Sequence, residues 1–148
     1  MKTARSILLA EDDPNDVFLL QHAFESAQVS NPLQVVSDGQ QAIDYLSGTG
    51  KFADRTQFPL PALLVLDVKM PRRTGLDVLE WLKDQENLSC VPTIMLSSSA
   101  NPADVEKAYQ LGVNGFVVKP QGVAQRVDLA KMIKGYWLTF NELPSVCR

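Results

Sequence analysis

A chain of 148 residues with 45% apolar and 21% charged side chains is long enough for one well-packed core and too short for two ordinary domains. Its net charge of -3 lacks the basic excess on which nucleic-acid binding relies. The leading apolar run, Ile7 to Ala10, is too short for a signal peptide or membrane span. Cys90 and Cys147 lack metal-ligand spacing, so a soluble, cytoplasmic protein with two plain thiols is expected.

In chain order, five apolar runs predict strands buried on both faces: residues 7–10, 33–36, 62–67, 93–97 and 115–119. Helix-period segments separate them, from Pro14, Gly39, Gly75 and Pro102, with a fifth, "RVDLAKMIKGYWLTF", after the last strand. Asp13 and Asn101 each precede a proline and an acid, the capping chemistry of a helix start. The stretch from Ser47 to Pro61 reads as a surface insertion. Repeated βα alternation predicts parallel strands joined by right-handed helical crossovers, a three-layer α/β domain.

In such a sheet, ligands gather beyond the carboxyl ends of the strands. There the sequence places Glu11, Asp12 and Asp13 after the first strand and Asp67 at the end of the third. Ser97 to Ser99 follow the fourth strand, and Lys119 with Pro120 the fifth. Carboxylates crowded together repel unless a cation neutralises them, and an oxygen-only donor set favours a hard divalent ion, Mg²⁺ above all. A lysine and a hydroxyl facing the acids complete a phosphoryl-transfer set with Asp67 as nucleophile.

The motifs "LLAEDDP", "LDVKMPRRTG", "IMLSSS" and "GFVVKP", in that order over roughly residues 6 to 135, resemble the receiver domain of two-component response regulators. The resemblance implies a doubly wound, flavodoxin-like (βα)5 domain with strand order 2-1-3-4-5. It implies that Asp67 accepts a phosphoryl group from a sensor histidine kinase. Asp12 would ligate Mg²⁺ directly, Glu11 through water, and Lys69 through its backbone carbonyl. Ser97 and Lys119 would contact the acyl phosphate, Phe116 would swing inward as Ser97 moves, and the Lys119–Pro120 peptide would be cis. Ser97 stands where threonine is commoner in the family, and Lys69 where the family varies.

Blander readings apply elsewhere. Asp13 is a helix cap, Ser98 and Ser99 are loop serines, and His22 is a surface or packed histidine. Arg72 and Arg73 form a solvated pair or help dock a kinase. Helix four has a thin apolar face of Val105, Ala108 and Tyr109, which suits a moving part. Leu129, Met132, Ile133, Tyr136, Trp137 and Phe140 recur at helical spacing. The aromatic tail they lead into, residues 136–148, resembles that of the single-domain regulators partnering bacterial phytochrome kinases, which implies a homodimer through the C-terminal half. Alternatively the tail folds over its own domain.

The expectation is a stand-alone receiver over residues 1–148, a signalling switch and not an enzyme acting on an outside substrate. The rival is a metal-dependent phosphohydrolase with an aspartyl-phosphate intermediate, which would carry an acid where this chain has Lys69. A flavin or nucleotide module would open its first loop with glycines, whereas "AEDDP" presents negative charge.

Overall fold

The computed structural model describes residues 5–144. Five strands, β1 (Ile7–Ala10), β2 (Leu33–Val36), β3 (Leu63–Asp67), β4 (Thr93–Ser97) and β5 (Gly115–Val118), form one parallel sheet in the order β2-β1-β3-β4-β5. Helices α1 (Pro14–Ser26), α2 (Gly39–Ser47), α3 (Gly75–Lys83) and α4 (Pro102–Gln110) supply the crossovers, and with α5 (Val123–Met132), which follows β5, they cover both faces. The predicted doubly wound flavodoxin-like domain is thereby borne out.

Alternation along each strand divides the core. Leu8, Leu64, Leu66 and Met95 point to α2, α3 and α4, where Val78, Leu82 and Ala108 meet them. Ile7, Leu9, Leu63, Val65 and Ile94 point to α1 and α5, against Leu20, Phe24 and Ala130. The central strands β1, β3 and β4 are buried throughout, as continuous apolar runs require. Edge strands β2 and β5 are half exposed, contrary to expectation, because each has only one neighbour and its outer flank lacks helical cover.

Helix starts follow side-chain chemistry. Asp13 and Asn101 cap α1 and α4 as predicted, each accepting from the amide two residues on. Asp38 caps α2, and α3 begins in a reciprocal capping box between Thr74 and Asp77.

The insertion before β3 is better anchored than a surface loop. Phe52 is buried with its ring tilted against Tyr45 of α2 at 5.1 Å, and Phe58 lies edge-on to both. Arg55 donates to the carbonyls of Tyr45 and Leu46, closing the C-terminus of α2 where carbonyls lack helical partners.

Two further expectations change. The fifth helix begins at Val123 and passes at Ile133 into a π-helical segment, Ile133–Phe140. Arg5 holds that segment by donating to the carbonyls of Trp137 and Asn141. Its apolar residues divide: Leu129 and Ile133 are buried and Trp137 packs on the core, whereas Met132, Tyr136 and Phe140 face outward. Cys90 is disulfide-bonded, not a plain thiol. The corresponding expectation for Cys147 lies outside the described residues.

Candidate functional site: an acidic pocket at the sheet edge

The parallel register brings the ends of β1, β3, β4 and β5 to one edge. Ala10 pairs with Leu66, Asp67 with Leu96 and Ser97 with Val118, so Glu11, Asp67, Ser97 and Lys119 stand at adjoining strand ends. Backbone bonds hold the exits: Glu11 N–H donates to Val36, Val68 N–H to Leu96 and Lys119 N–H to Ser97. Each side chain thus leaves a fixed strand terminus.

Glu11, Asp12 and Asp67 each offer a carboxylate oxygen, and the three atoms lie within 4.8 Å of one another. Glu11 and Asp67 are buried and Asp12 is exposed, so the cluster has a dry floor and a wet rim. Lys119 Nζ reaches in, donating to Glu11 Oε1 at 3.0 Å, Asp16 Oδ2 at 2.9 Å and Asp67 Oδ2 at 3.3 Å.

One lysine facing three carboxylates does not neutralise them, and protonation shows the imbalance. Burial drives the Glu11 carboxyl up to about 9, assisted by hydrogen bonding to Asp67 and Asp16 and by the charge on Asp67; Lys119 opposes it. For Asp16, burial pulls upward, but hydrogen bonds from Lys119 and Glu11 and the charges of Lys119 and Arg126 leave it below its ordinary value. Burial disfavours the Lys119 ammonium, yet its carboxylate partners outweigh that and raise its pKa. Without an added cation, the cheapest way to relieve the crowding is a proton on Glu11. A hard divalent ion fits the donor set, since all three acids present oxygen and the open rim leaves positions for water.

Other predicted residues lie close without joining the cluster. The Ser97 hydroxyl donates to the Ser99 carbonyl at 2.6 Å and accepts from the Ser99 amide, folded into its own turn. The Lys69 amide points to Asp67 Oδ1 at 3.4 Å and its side chain is exposed. Phe116 is half buried against the α2–α4 side of the core. The Lys119–Pro120 peptide, expected cis, is trans, as are all peptide bonds among the described residues. Trans is the lower-energy isomer of an X–Pro bond by about 0.5–1 kcal/mol.

Asp16, the acid that follows Pro14 in the helix-start pattern, is also a partner of Lys119, which that pattern alone does not reveal. The available signal was its place in the first turn of the helix that follows the acids, which lays it along the same edge. His22, Ser98 and Ser99 are exposed, as the bland readings hold.

The loop after Asp67 is fastened to the neighbouring turn. Arg72 adopts φ of 66°, a left-handed conformation uncommon outside glycine. Its Nη1 reaches the buried Asp38 at 3.4 Å, and Arg73 Nε donates to Gln40 at 2.9 Å. At the loop's far end, Gly75 N–H donates to Val68, and a Cβ there would lie 2.2 Å from the Asp67 carbonyl oxygen. Gly75→Ala is therefore expected to displace the loop and to lower stability by about 1–3 kcal/mol, read from urea unfolding midpoints.

Comparison with known proteins agrees with this geometry. Residues 7–134 match the family model described as response regulator receiver domain. Response regulator Rcp1 of Synechocystis sp. is 30% identical over 139 residues, covering 94% of this chain and 92% of that protein. The phosphorylated cyanobacterial phytochrome response regulator RcpA superposes with a TM-score of 0.87 at 32% identity, covering 97% of this chain and all of that one. A response regulator in red light signaling of R. palustris gives 0.89 at 35%, covering 95% and 99%. The chain belongs to the response regulator receiver family, phosphoacceptor signalling domains that bind a divalent metal in this acidic pocket.

Proposed function

We propose that Asp67 is the phosphoacceptor, and that the chain is a single receiver domain over residues 1–148 serving a sensor histidine kinase as a switch, with no reaction on an outside substrate. The observation that carries the reading is the placement of Asp67 alone at the end of the central strand β3, with two acids within 4.8 Å and the Lys119 ammonium at 3.3 Å.

In the proposed reaction a carboxylate oxygen of Asp67 attacks the phosphorus of a phosphohistidine. The new P–O bond forms as the P–N bond breaks, and the electron pair returns to the imidazole. Lys119 pairs with a developing phosphoryl oxygen, and the Ser97 hydroxyl, once released from Ser99, donates to another. Phe116 follows Ser97 inward. Asp12, Asp67, the Lys69 carbonyl and, through water, Glu11 would hold Mg²⁺, which would supply neutralisation of the phosphoryl oxygens. The phosphohydrolase alternative is disfavoured by Lys69, which stands where such enzymes place their second acid.

The likeness to RcpA and to the R. palustris regulator supports a phytochrome-type kinase as donor, and a donor of that kind fits the cytoplasmic setting proposed for the chain. No helix among the described residues is long and apolar enough to cross a membrane. The outward-facing Tyr136 and Phe140 support a homodimer through the C-terminal half. Equilibrium sedimentation should give twice the chain mass, and Phe140→Asp should shift it toward the monomer. Incubation with acetyl phosphate and Mg²⁺ should add one phosphoryl group by intact mass, and EDTA should prevent it; labelling that persists in EDTA would overturn the reading.

A further inference from the structure

One ion pair at the site is absorbed neither by the acidic cluster nor by the phosphoacceptor. The Lys119 ammonium has three N–H donors, and Glu11, Asp16 and Asp67 engage all of them. Glu11 and Asp67 also belong to the carboxylate cluster; Asp16 does not. Asp16 lies in the first turn of α1, on one wall of a small pocket completed by Lys119, Pro120 and Arg126 and floored by Leu20 and Leu96. Its bond to Lys119 is the shortest of the three, and its side chain is 33% exposed.

A phosphoryl group arriving on Asp67 needs a donor from Lys119, and every donor is committed. The Asp67 bond transfers naturally, because the new oxygens arrive on the same side chain. Asp16 belongs to another element, and a bond to it points the ammonium toward α1. Its hydrogen bond with Glu11 remains, and its exposure lets water take the place of the lysine once that leaves. Arg126, whose charge also favours ionised Asp16, donates to the Gln121 carbonyl at 3.0 Å and makes no direct ion pair with Asp16 in this arrangement.

We propose that Asp16 is a positioning residue that holds Lys119 toward α1, so that phosphoryl uptake at Asp67 proceeds by drawing the ammonium away from it. The inference rests on Asp67 being the acceptor. Asp16 then acts as a brake: it slows uptake through Lys119 without touching the phosphoryl group.

The test compares wild type, Asp16→Asn and Asp16→Glu, each also in a Lys119→Met background, using phosphoramidate and Mg²⁺ with intact mass read against time. Asp16→Asn should label roughly two- to fivefold faster, the scale of a partly exposed ion pair, and Asp16→Glu should return toward the wild-type rate. The acceleration should vanish without Lys119. In metal-free protein, the Lys119 ammonium resonance should shift in Asp16→Asn and recover in Asp16→Glu. Unchanged or slower labelling of Asp16→Asn, or an equal acceleration in Lys119→Met, overturns the brake. Equal labelling of wild type and Asp67→Asn overturns the acceptor assignment, and the brake with it, whatever the Asp16 variants do.

Discussion

Asp67→Asn should take up no phosphoryl group from acetyl phosphate under conditions in which wild type gains one, as judged by intact mass. The amide keeps the shape of the side chain and its place at the end of β3, but it has no anionic oxygen to attack phosphorus. The buried pocket should tolerate the change. Lys119 keeps Glu11 and Asp16 as partners, and removing one of several crowded carboxylates relieves repulsion. Thermal unfolding of the variant at or above the wild-type temperature would exclude misfolding as the cause. A singly phosphorylated Asp67→Asn protein would show that another side chain accepts the group.

The second large effect is on metal binding. In the metal-free protein the Glu11 carboxyl titrates at about 9, chiefly because burial disfavours its charge, so near neutrality it carries a proton. A divalent ion favours the ionised acid and must displace that proton. The sign follows: below about pH 9 each unit of acidification lowers apparent affinity by up to roughly tenfold, and above it the dependence flattens. Calorimetric titration with Mg²⁺ between pH 6 and pH 8, in buffers of different ionisation heat, should show rising affinity and nearly one proton released per ion near pH 7. Affinity that stays flat, with no proton released, would show that Glu11 is already ionised in the free protein.

The fold was legible because each central strand is an unbroken apolar run and each crossover has helical period; strand starts and ends agree to within a residue. What escaped was set by neighbours and not by local pattern. Val35 and Val118 look like buried strand residues in isolation, but β2 and β5 fall at the sheet edges. The π-helical segment from Ile133 is met by Arg5, which reaches the Trp137 carbonyl from the other end of the chain, a contact no local pattern announces. At the site, Glu11, Asp12, Asp67 and Lys119 were readable because strand ends in a parallel sheet converge by construction. Asp16 was not, since its role appears only once α1 is laid against the end of β5. The Ser97 hydroxyl turned toward Ser99 was equally invisible, being a rotamer choice within one tight turn.

The clamps around α2 give the domain a mechanical asymmetry. Arg55 grips that helix at its last carbonyls, while Arg72 and Arg73 grip it at its first turn. By contrast, α4 sinks only Ala108 into the interior and lies beside the half-exposed β5. A push originating at Asp67 would therefore meet a stiff flank on one side and a yielding one on the other, and the displacement would travel toward the compliant edge.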